Sequence, residues 1–189
     1  MTELAASSTG PALAGAVRVI HVVFGLRPGG MELGVVKLVN GLDPARVQSA
    51  ICSTTQGGSV RDLVSPDVPV FELHRRDGND PRWIFELYRL FKRERPHIVH
   101  THAWGTLLEG ILAARLARVP VVVHGEHGTL QLKPHQRWLQ RHGWSLTDQV
   151  LSVSTRLSER MERETGYPAS RILPSATFEQ RVDFGPPFF

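Results

Sequence analysis

VIHVVFGLRPGGME, residues 19–32, is the stretch that decides the fold. A mostly apolar run leads into a turn made by Gly29 and Gly30, and Glu32 then begins a helical pattern. This order predicts a buried strand, a tight turn and a helix N-terminus, where a phosphate or a sugar can approach bare backbone N–H groups. The two glycines equally fit a plain strand-to-helix turn. Glu32 equally fits a favourable partner of the helix dipole.

Two established phosphate-binding motifs do not fit this loop. Gly25 and Gly30 have the spacing of a P-loop, but Met31 and Glu32 stand where lysine and serine or threonine are required. The carboxylate of Glu32 would repel the outer phosphates of a nucleotide, so an NTPase is rejected. The G-x-G-x-x-G fingerprint of dinucleotide-binding sheets is also absent, and no acid follows the second predicted strand to hold a ribose.

The composition is that of one ordinary globular α/β domain. The chain has 189 residues, with 41% hydrophobic and 21% charged side chains, which suits one packed domain and is too short for two full ones. The formal net charge is +4 and the pI is about 9.8. Because lysine and arginine are spread along the helices, no nucleic-acid partner is expected, whereas anionic substrates or peripheral association with an anionic membrane surface fit.

Cellular location is inferred from cysteine usage and from the N-terminal residues. Cys52 is the single cysteine, so no internal disulfide can form and a reducing compartment is compatible. Residues 1–16 lack the basic region and apolar core of a secretory signal and are expected to be a flexible tail. A cytoplasmic protein is expected, with the inner face of the membrane as a possible site of attachment.

Alternating strand and helix patterns predict the architecture. Short apolar runs that mark strands buried on both faces lie at 17–24, 48–53, 68–73, 98–101, 119–124 and 149–154. Helical stripes separate them, including Leu107, Leu108, Ile111, Leu112 and Leu116 after the fourth strand. This alternation predicts an α/β fold with a doubly wound, mostly parallel Rossmann-like sheet. Ligands bind such sheets beyond the carboxyl ends of the strands.

Histidines concentrate at the carboxyl end of the fourth strand. His100 and His102 are two residues apart and share one strand face. A metal pair is conceivable, but no third ligand stands at a recognisable spacing, so no metal site is expected. An interior, supporting role is expected for His100. For His102, beside Trp104 and Gly105, a ligand-facing role is favoured.

The densest polar cluster follows the fifth predicted strand. His124-Gly125-Glu126-His127-Gly128 carries two imidazoles, a carboxylate and two glycines directly after an apolar run. Such a group suits binding of substrate hydroxyls or proton handling. The alternative is a loop whose polar side chains satisfy its own backbone, although binding residues do concentrate on loops held by a rigid sheet.

These motifs, in this order, resemble the N-terminal domain of a GT-B glycosyltransferase of family four. The resemblance runs from about residue 17 to 172 and rests on Gly-Gly-Met-Glu at 29–32, PHIVHTH at 96–102, VVHG at 122–125 and Val-Ser at 153–154. Gly-Gly-Met-Glu combined with His-Gly-Glu-His-Gly is similar to the sugar transferases of bacterial exopolysaccharide systems. Residues 173–189 are expected to be an irregular C-terminal tail.

The resemblance implies a function and a set of roles. It implies retaining transfer of a sugar from a nucleotide-sugar donor to a saccharide or lipid-linked acceptor held by this domain, with no further cofactor. Gly29 and Gly30 would approach the donor diphosphate, and His124 would lie beside the transferring sugar as the catalytic group. The remaining substrate-binding candidates are Glu32, His102, Glu126 and His127.

The family's second domain has no counterpart in these 189 residues. The nucleotide pocket and a pair of glutamates seven residues apart belong to that domain, so the chain is expected to be truncated and inactive alone. A non-catalytic binding or assembly module, which pairs with a separate donor-domain chain, is the alternative. A small hydrolase built on His124 and His127 ranks last, because no G-x-S-x-G nucleophile elbow is present.

Overall fold

The structure, a computed structural model, describes residues 15–55, 57–75, 82–131 and 133–174. Seven strands and five helices alternate along these segments. The strands are β1 (Val17–Val23), β2 (Val47–Ser53), β3 (Val70–Glu72), β4 (Ile98–His102), β5 (Val121–Glu126), β6 (Gln149–Ser152) and β7 (Ile172–Pro174). The helices are α1 (Gly30–Gly41), α2 (Arg82–Glu94), α3 (Trp104–Leu116), α4 (Pro134–Ser145) and α5 (Thr155–Thr165), with short 3₁₀ turns at Ser59–Leu63 and Ala169–Arg171.

The seven strands form one sheet in the order β3-β2-β1-β4-β5-β6-β7, and every pair is parallel. The predicted doubly wound α/β sheet is therefore confirmed. The chain builds outward from β1 in one direction and from β4 in the other. The switch point between β1 and β4 is where such sheets bind ligands, at the carboxyl ends of the strands.

Two apolar clusters cover the two faces of the sheet. One lies on the face of α2 and α3 and includes Val22, Val99 and Val122 from successive strands. The other lies on the face of α1 and includes Val23 and Ile51. Because side chains alternate along a strand, each strand contributes odd-numbered or even-numbered residues to a given face. This alternation decides which polar residues share a site.

Three sequence-based expectations differ from the structure. The fifth strand was expected at 119–124, but β5 spans Val121–Glu126, so Gly125 and Glu126 also belong to the strand. The last strand reaches Pro174, two residues beyond the expected end of the domain. The predicted N-terminal tail up to residue 14 and the predicted C-terminal tail from residue 175 onward lie outside the described residues. In α3, Leu112 and Leu116 are exposed, whereas Gly110, Ala113 and Ala114 are buried.

Candidate functional site

A cavity of about 580 Å³ opens at the carboxyl edge of the sheet, on the face covered by α1. The first two turns of α1, with Gly30 and Leu38 at their limits, form one wall. The ends of β4, β5 and β6 form the other, with His100, His102, Gly125, Glu126, His127 and residues 151–153 lining it. The predicted binding residues Gly30, His102 and His127 therefore meet at one place, and Glu126 is also part of the lining although its carboxylate is turned to the opposite face of the sheet.

Imidazoles dominate the polar lining, and one of them contacts a further histidine that is not among the lining residues and that the sequence did not single out. His21 on β1 is buried and in register with His100 on β4, so both rings leave the sheet on the α1 face. His21 Nδ1 lies 3.2 Å from His102 Nε2, and His102 Nδ1 lies 3.2 Å from His127 Nε2. The rings of His100 and His102 are 4.0 Å apart between centroids.

Burial keeps these histidines neutral at physiological pH. Desolvation lowers the pKa of His21 to about 4 and holds the pKa values of His100 and His102 well below their usual range, with repulsion among the rings adding to the effect. Burial also lowers the pKa of His127, offset in part by Glu126. Neutral imidazoles can each donate one hydrogen bond and accept one, which suits hydroxyl recognition.

Gly125 leaves the space that these rings share. A Cβ at this position would lie 3.0 Å from His100 Nε2, 3.2 Å from His127 Nε2 and 3.3 Å from His102 Nδ1. Three ring nitrogens therefore point into the volume over one backbone position. A side chain at residue 125 would fill this volume, so glycine keeps it free.

The junction between β4 and α3 is strained. Ala103 has φ 60° and ψ 171°, a backbone conformation that is essentially restricted to glycine and costs on the order of 1–3 kcal/mol elsewhere. Its N–H donates to the Gly125 carbonyl at 2.9 Å, which ties the end of β4 to β5. The strain lies directly after His102, at the edge of the cavity.

The side chains of His124 and Glu126 lie on the other side of the sheet. His124 is fully buried, and its Nδ1 is 2.9 Å from Thr101 Oγ1. Its Nε2 is 3.8 Å from the Glu126 carboxylate. The catalytic role of His124 stays a prediction, because this ring does not line the cavity and has no exposed surface here.

The Glu126 carboxylate holds the loop after β5. One oxygen accepts from the Thr129 backbone N–H at 2.6 Å and from the Thr129 hydroxyl at 2.8 Å. The other accepts from Gln140 Nε2 at 3.0 Å. Burial alone would raise the pKa of this carboxyl, but His124 and the Thr129 donors outweigh it, so the pKa is lowered. The charged carboxylate thus positions His127 by fixing the loop that carries it.

The glycine turn is built as predicted, but only part of it reaches the cavity. Gly29 caps α1 in an extended conformation, and a Cβ there would collide with the Glu32 carboxylate. Glu32 therefore folds back over the N-terminus of its own helix, which favours the dipole-partner interpretation. Of the predicted residues, Gly29 and Glu32 do not line the cavity, and their binding roles stay predictions.

Sequence comparison decides which family this geometry belongs to. Residues 28–174, more than three quarters of the chain, match the domain described as Glycosyltransferase Family 4. The chain belongs to glycosyltransferase family 4. The match includes the glycine turn, the histidine-bearing end of β4 and the whole of β5.

Known proteins resemble this family 4 chain in sequence over a short segment and in fold over most of its length. It is 51% identical over 49 residues to an Escherichia coli enzyme, UDP-Gal:alpha-D-GlcNAc-diphosphoundecaprenol alpha-1,3-galactosyltransferase; this segment is 26% of the chain and 13% of that enzyme. The fold is similar to a Rickettsia africae glycosyltransferase, with a TM-score of 0.69 and 18% identity over 84% of this chain and 42% of the other.

Two further solved structures with this fold contain nucleotides. Anabaena HepE, in complex with UDP and glucose, has a TM-score of 0.66 and 14% identity over 82% of this chain and 43% of HepE. UDP-GlcNAc 2-epimerase from Neisseria meningitidis, bound to UDP-GlcNAc, has a TM-score of 0.59 and 18% identity over 84% of this chain and 45% of the epimerase. The family 4 chain thus spans less than half the length of each solved structure, and at these identities the likeness shows the fold alone.

His21, which contacts the cavity histidines without lining the cavity, is the residue that sequence reasoning missed in this family 4 chain. It lies inside the apolar run of β1, and such a run by itself predicts only a strand of the core. A signal did exist, because a polar side chain in the middle of a buried strand is the informative exception in such a run. The sequence could not show that its neighbours would be His100 and His102, since that depends on the pairing of β1 with β4.

Proposed function

We propose that this chain is the acceptor-side half of a retaining sugar transferase that uses a nucleotide-sugar donor. The observation that carries the proposal is the histidine-lined cavity at the switch point between β1 and β4 in a family 4 domain. UDP is the nucleotide present in structures of similar fold, which supports a UDP-sugar as donor. The E. coli relative acts on a diphospholipid-linked sugar, which supports a lipid-linked saccharide as acceptor.

The proposed roles follow the chemistry of the two walls. On one side, the backbone N–H groups at the N-terminus of α1 can bind a diphosphate once the Glu32 carboxylate, which folds over them, has turned away. On the other, His100 Nε2, which has no partner among the described residues, offers a hydrogen bond to an acceptor hydroxyl, and the paired rings of His102 and His127 lie beside it. No lysine or arginine is among the residues that line the cavity, which argues against a nucleic-acid partner. The lining therefore gives the donor diphosphate no lysine or arginine, and we propose that a donor-binding domain supplies such a cation.

Imidazole NMR resonances test acceptor binding directly. We expect a short-chain GlcNAc-diphospholipid analogue to shift the ring resonances of His100, His102 and His127, and UDP-galactose alone to shift them much less. Replacing Gly125 by valine should remove the response, because the added side chain would occupy the space between the three ring nitrogens.

His135 is the internal control for this titration. It is exposed on α4 and is not among the residues that line the cavity, so its resonances should not move. If the analogue leaves the cavity histidines unchanged at saturating concentration, the acceptor-side assignment fails. The alternative of a non-catalytic assembly module would then be favoured.

Membrane attachment has support on the opposite side of the molecule. Leu112, Leu116 and Leu146 are 45%, 64% and 51% exposed, and Arg115, which directly precedes Leu116 in α3, donates to the Leu146 carbonyl at 2.8 Å. Among the described helices, none has the length and hydropathy that crossing a bilayer would require. We propose that these three leucines form a surface that rests on an anionic membrane.

Vesicle co-sedimentation tests this surface. The chain should bind phosphatidylglycerol vesicles more tightly than phosphatidylcholine vesicles, and changing all three leucines to serine should weaken binding at least about tenfold, because each loses apolar contact with the bilayer. Leu63→Ser is the matched control, since Leu63 is 56% exposed in the 3₁₀ turn Ser59–Leu63. Equal weakening by the control would contradict the assignment.

A further inference from the structure

Three histidines from two neighbouring strands form a compact cluster, His21, His100 and His102. One ring nitrogen of each lies within 4.8 Å of one ring nitrogen of the others. The cluster exists because β1 and β4 pair in parallel with His21 opposite His100. Local spacing could not reveal it, since His21 precedes His102 by 81 residues.

The separation of the ring nitrogens fits coordination of one metal ion. His21 Nδ1 and His102 Nε2 are 3.2 Å apart. Two nitrogens bound tetrahedrally at 2.0–2.1 Å from a zinc ion lie about 3.3–3.4 Å from each other. The third ring, that of His100, is 5.2 Å from His21 and 4.0 Å from His102 between centroids, close enough for a ring rotation to complete the set.

An independent observation points to a ligand at the cluster. His100 Nε2 is buried and has no hydrogen-bond partner among the described residues. It points to the open space over Gly125, where a Cβ would lie 3.0 Å away. Buried polar groups in folded proteins are almost always paired, so a nitrogen left unpaired beside two other imidazoles calls for an explanation.

The protonation state of the three rings and the position of His127 both suit metal coordination. Neutral imidazole is the form that binds metals. His21 and His102 are buried and His100 is partly buried, and burial lowers the pKa of all three rings. A ligating histidine usually donates its second ring N–H to an acceptor, which fixes its orientation. His127 Nε2 lies 3.2 Å from His102 Nδ1 and provides such an acceptor when His102 coordinates through Nε2.

We propose that His21, His100 and His102 form a binding site for one divalent transition-metal ion of the zinc class. A set of three imidazoles without an oxygen ligand suits Zn²⁺, Co²⁺ or Ni²⁺, and does not suit Mg²⁺ or Ca²⁺. The Glu126 carboxylate is committed to Thr129 and Gln140. A fourth position would face the cavity, because His100 and His102 both line it. The proposal does not depend on the proposed sugar transfer, since metal binding is measured without any sugar.

Titration of the untagged, EDTA-stripped chain with Co²⁺ tests the site. We expect one equivalent to bind, with the intense visible absorption of four-coordinate cobalt, and Zn²⁺ to displace it. His100→Ala and His102→Ala should each lower the affinity at least about a hundredfold. His127→Ala removes only the supporting acceptor and should lower it about 10–100-fold. Mg²⁺ should not compete.

His135→Ala is the matched control, because His135 is an exposed histidine on α4 and its loss should leave cobalt binding unchanged. Circular dichroism of each variant shows whether the sheet has formed, and the wild-type spectrum decides the question even if a variant does not fold. The proposal is overturned if the wild type gives no four-coordinate spectrum, if His100→Ala binds as tightly as wild type, or if His135→Ala removes binding.

Discussion

The 189-residue chain, given UDP-galactose and a GlcNAc-diphospholipid acceptor, is expected to transfer no sugar above the blank. The reaction separates a nucleoside diphosphate from a sugar, so negative charge grows on the leaving group. No arginine or lysine is among the residues that line the cavity, and burial lowers the pKa of its histidines, so this lining offers that charge only the N-terminus of α1, over which Glu32 folds. Loss of even one preorganised donor costs about 10²–10³ in rate, and here most are missing.

Mass spectrometry of the lipid product measures this outcome. The E. coli galactosyltransferase serves as the positive control for both substrates. A chimaera that joins residues 1–174 to the donor-binding domain of a family 4 enzyme is the matched comparison, and it should restore transfer. If the 189-residue chain transfers sugar and the His102→Ala variant does not, the 189 residues already hold a complete active site, which contradicts the prediction.

Acidification from pH 7 to pH 4 should destabilise the chain by about 3 kcal/mol through His21 alone. Its pKa falls from 6.5 in the unfolded chain to about 4 in the fold, and each pKa unit corresponds to about 1.4 kcal/mol. Because the folded pKa is depressed, this stability is present above pH 6.5 and is lost as the pH falls through the folded value. His100 and His102 shift in the same direction, as does His127.

Urea unfolding at pH 7.5, 6, 5 and 4, with EDTA present to remove metals, measures the effect. His21→Gln should flatten the dependence of the unfolding free energy on pH, and His135→Gln should leave it unchanged. Glu126 contributes to the unfolding free energy in a lower pH range. Because its pKa is lowered in the fold, its contribution is present above about pH 4.5 and is lost as the pH falls below that value. A wild-type unfolding free energy that is constant from pH 7.5 to 5 would show that the cluster is not held neutral by burial.

The architecture could be predicted from sequence because each strand is an apolar run closed by a turn or a helix pattern. The carboxyl edge of the sheet was identified for the same reason, and Gly30, His102, Glu126 and His127 do line one cavity there. The limits of β5 were wrong by two residues at each end, because pairing with β4 and β6 carries the strand through Gly125 and Glu126. Pairing between strands is not local and leaves no spacing in the sequence.

The prediction that Leu112 and Leu116 of α3 are buried was wrong for a related reason. The prediction assumed one buried face of leucines, but α3 packs against the sheet and against its neighbours α2 and α4. Close contact selects small residues, and a Cβ on Gly110 would lie only 2.6 Å from a methyl group of Thr101. Gly110 and the alanines therefore face inward, which leaves Leu112 and Leu116 outside.

Because side chains alternate along β5, the consecutive residues His124, Gly125 and Glu126 are divided between the two faces of the sheet. His124 and Glu126 face the helices of the α3 layer, while Gly125 opens onto the cavity. Substitutions at the even positions should therefore act first on folding, and a substitution at residue 125 on ligand binding. A loss of activity in a His124 variant does not by itself place His124 beside the substrate. Variants of His124 and Glu126 therefore need a measurement of folding stability, and variants of Gly125 need a measurement of ligand binding.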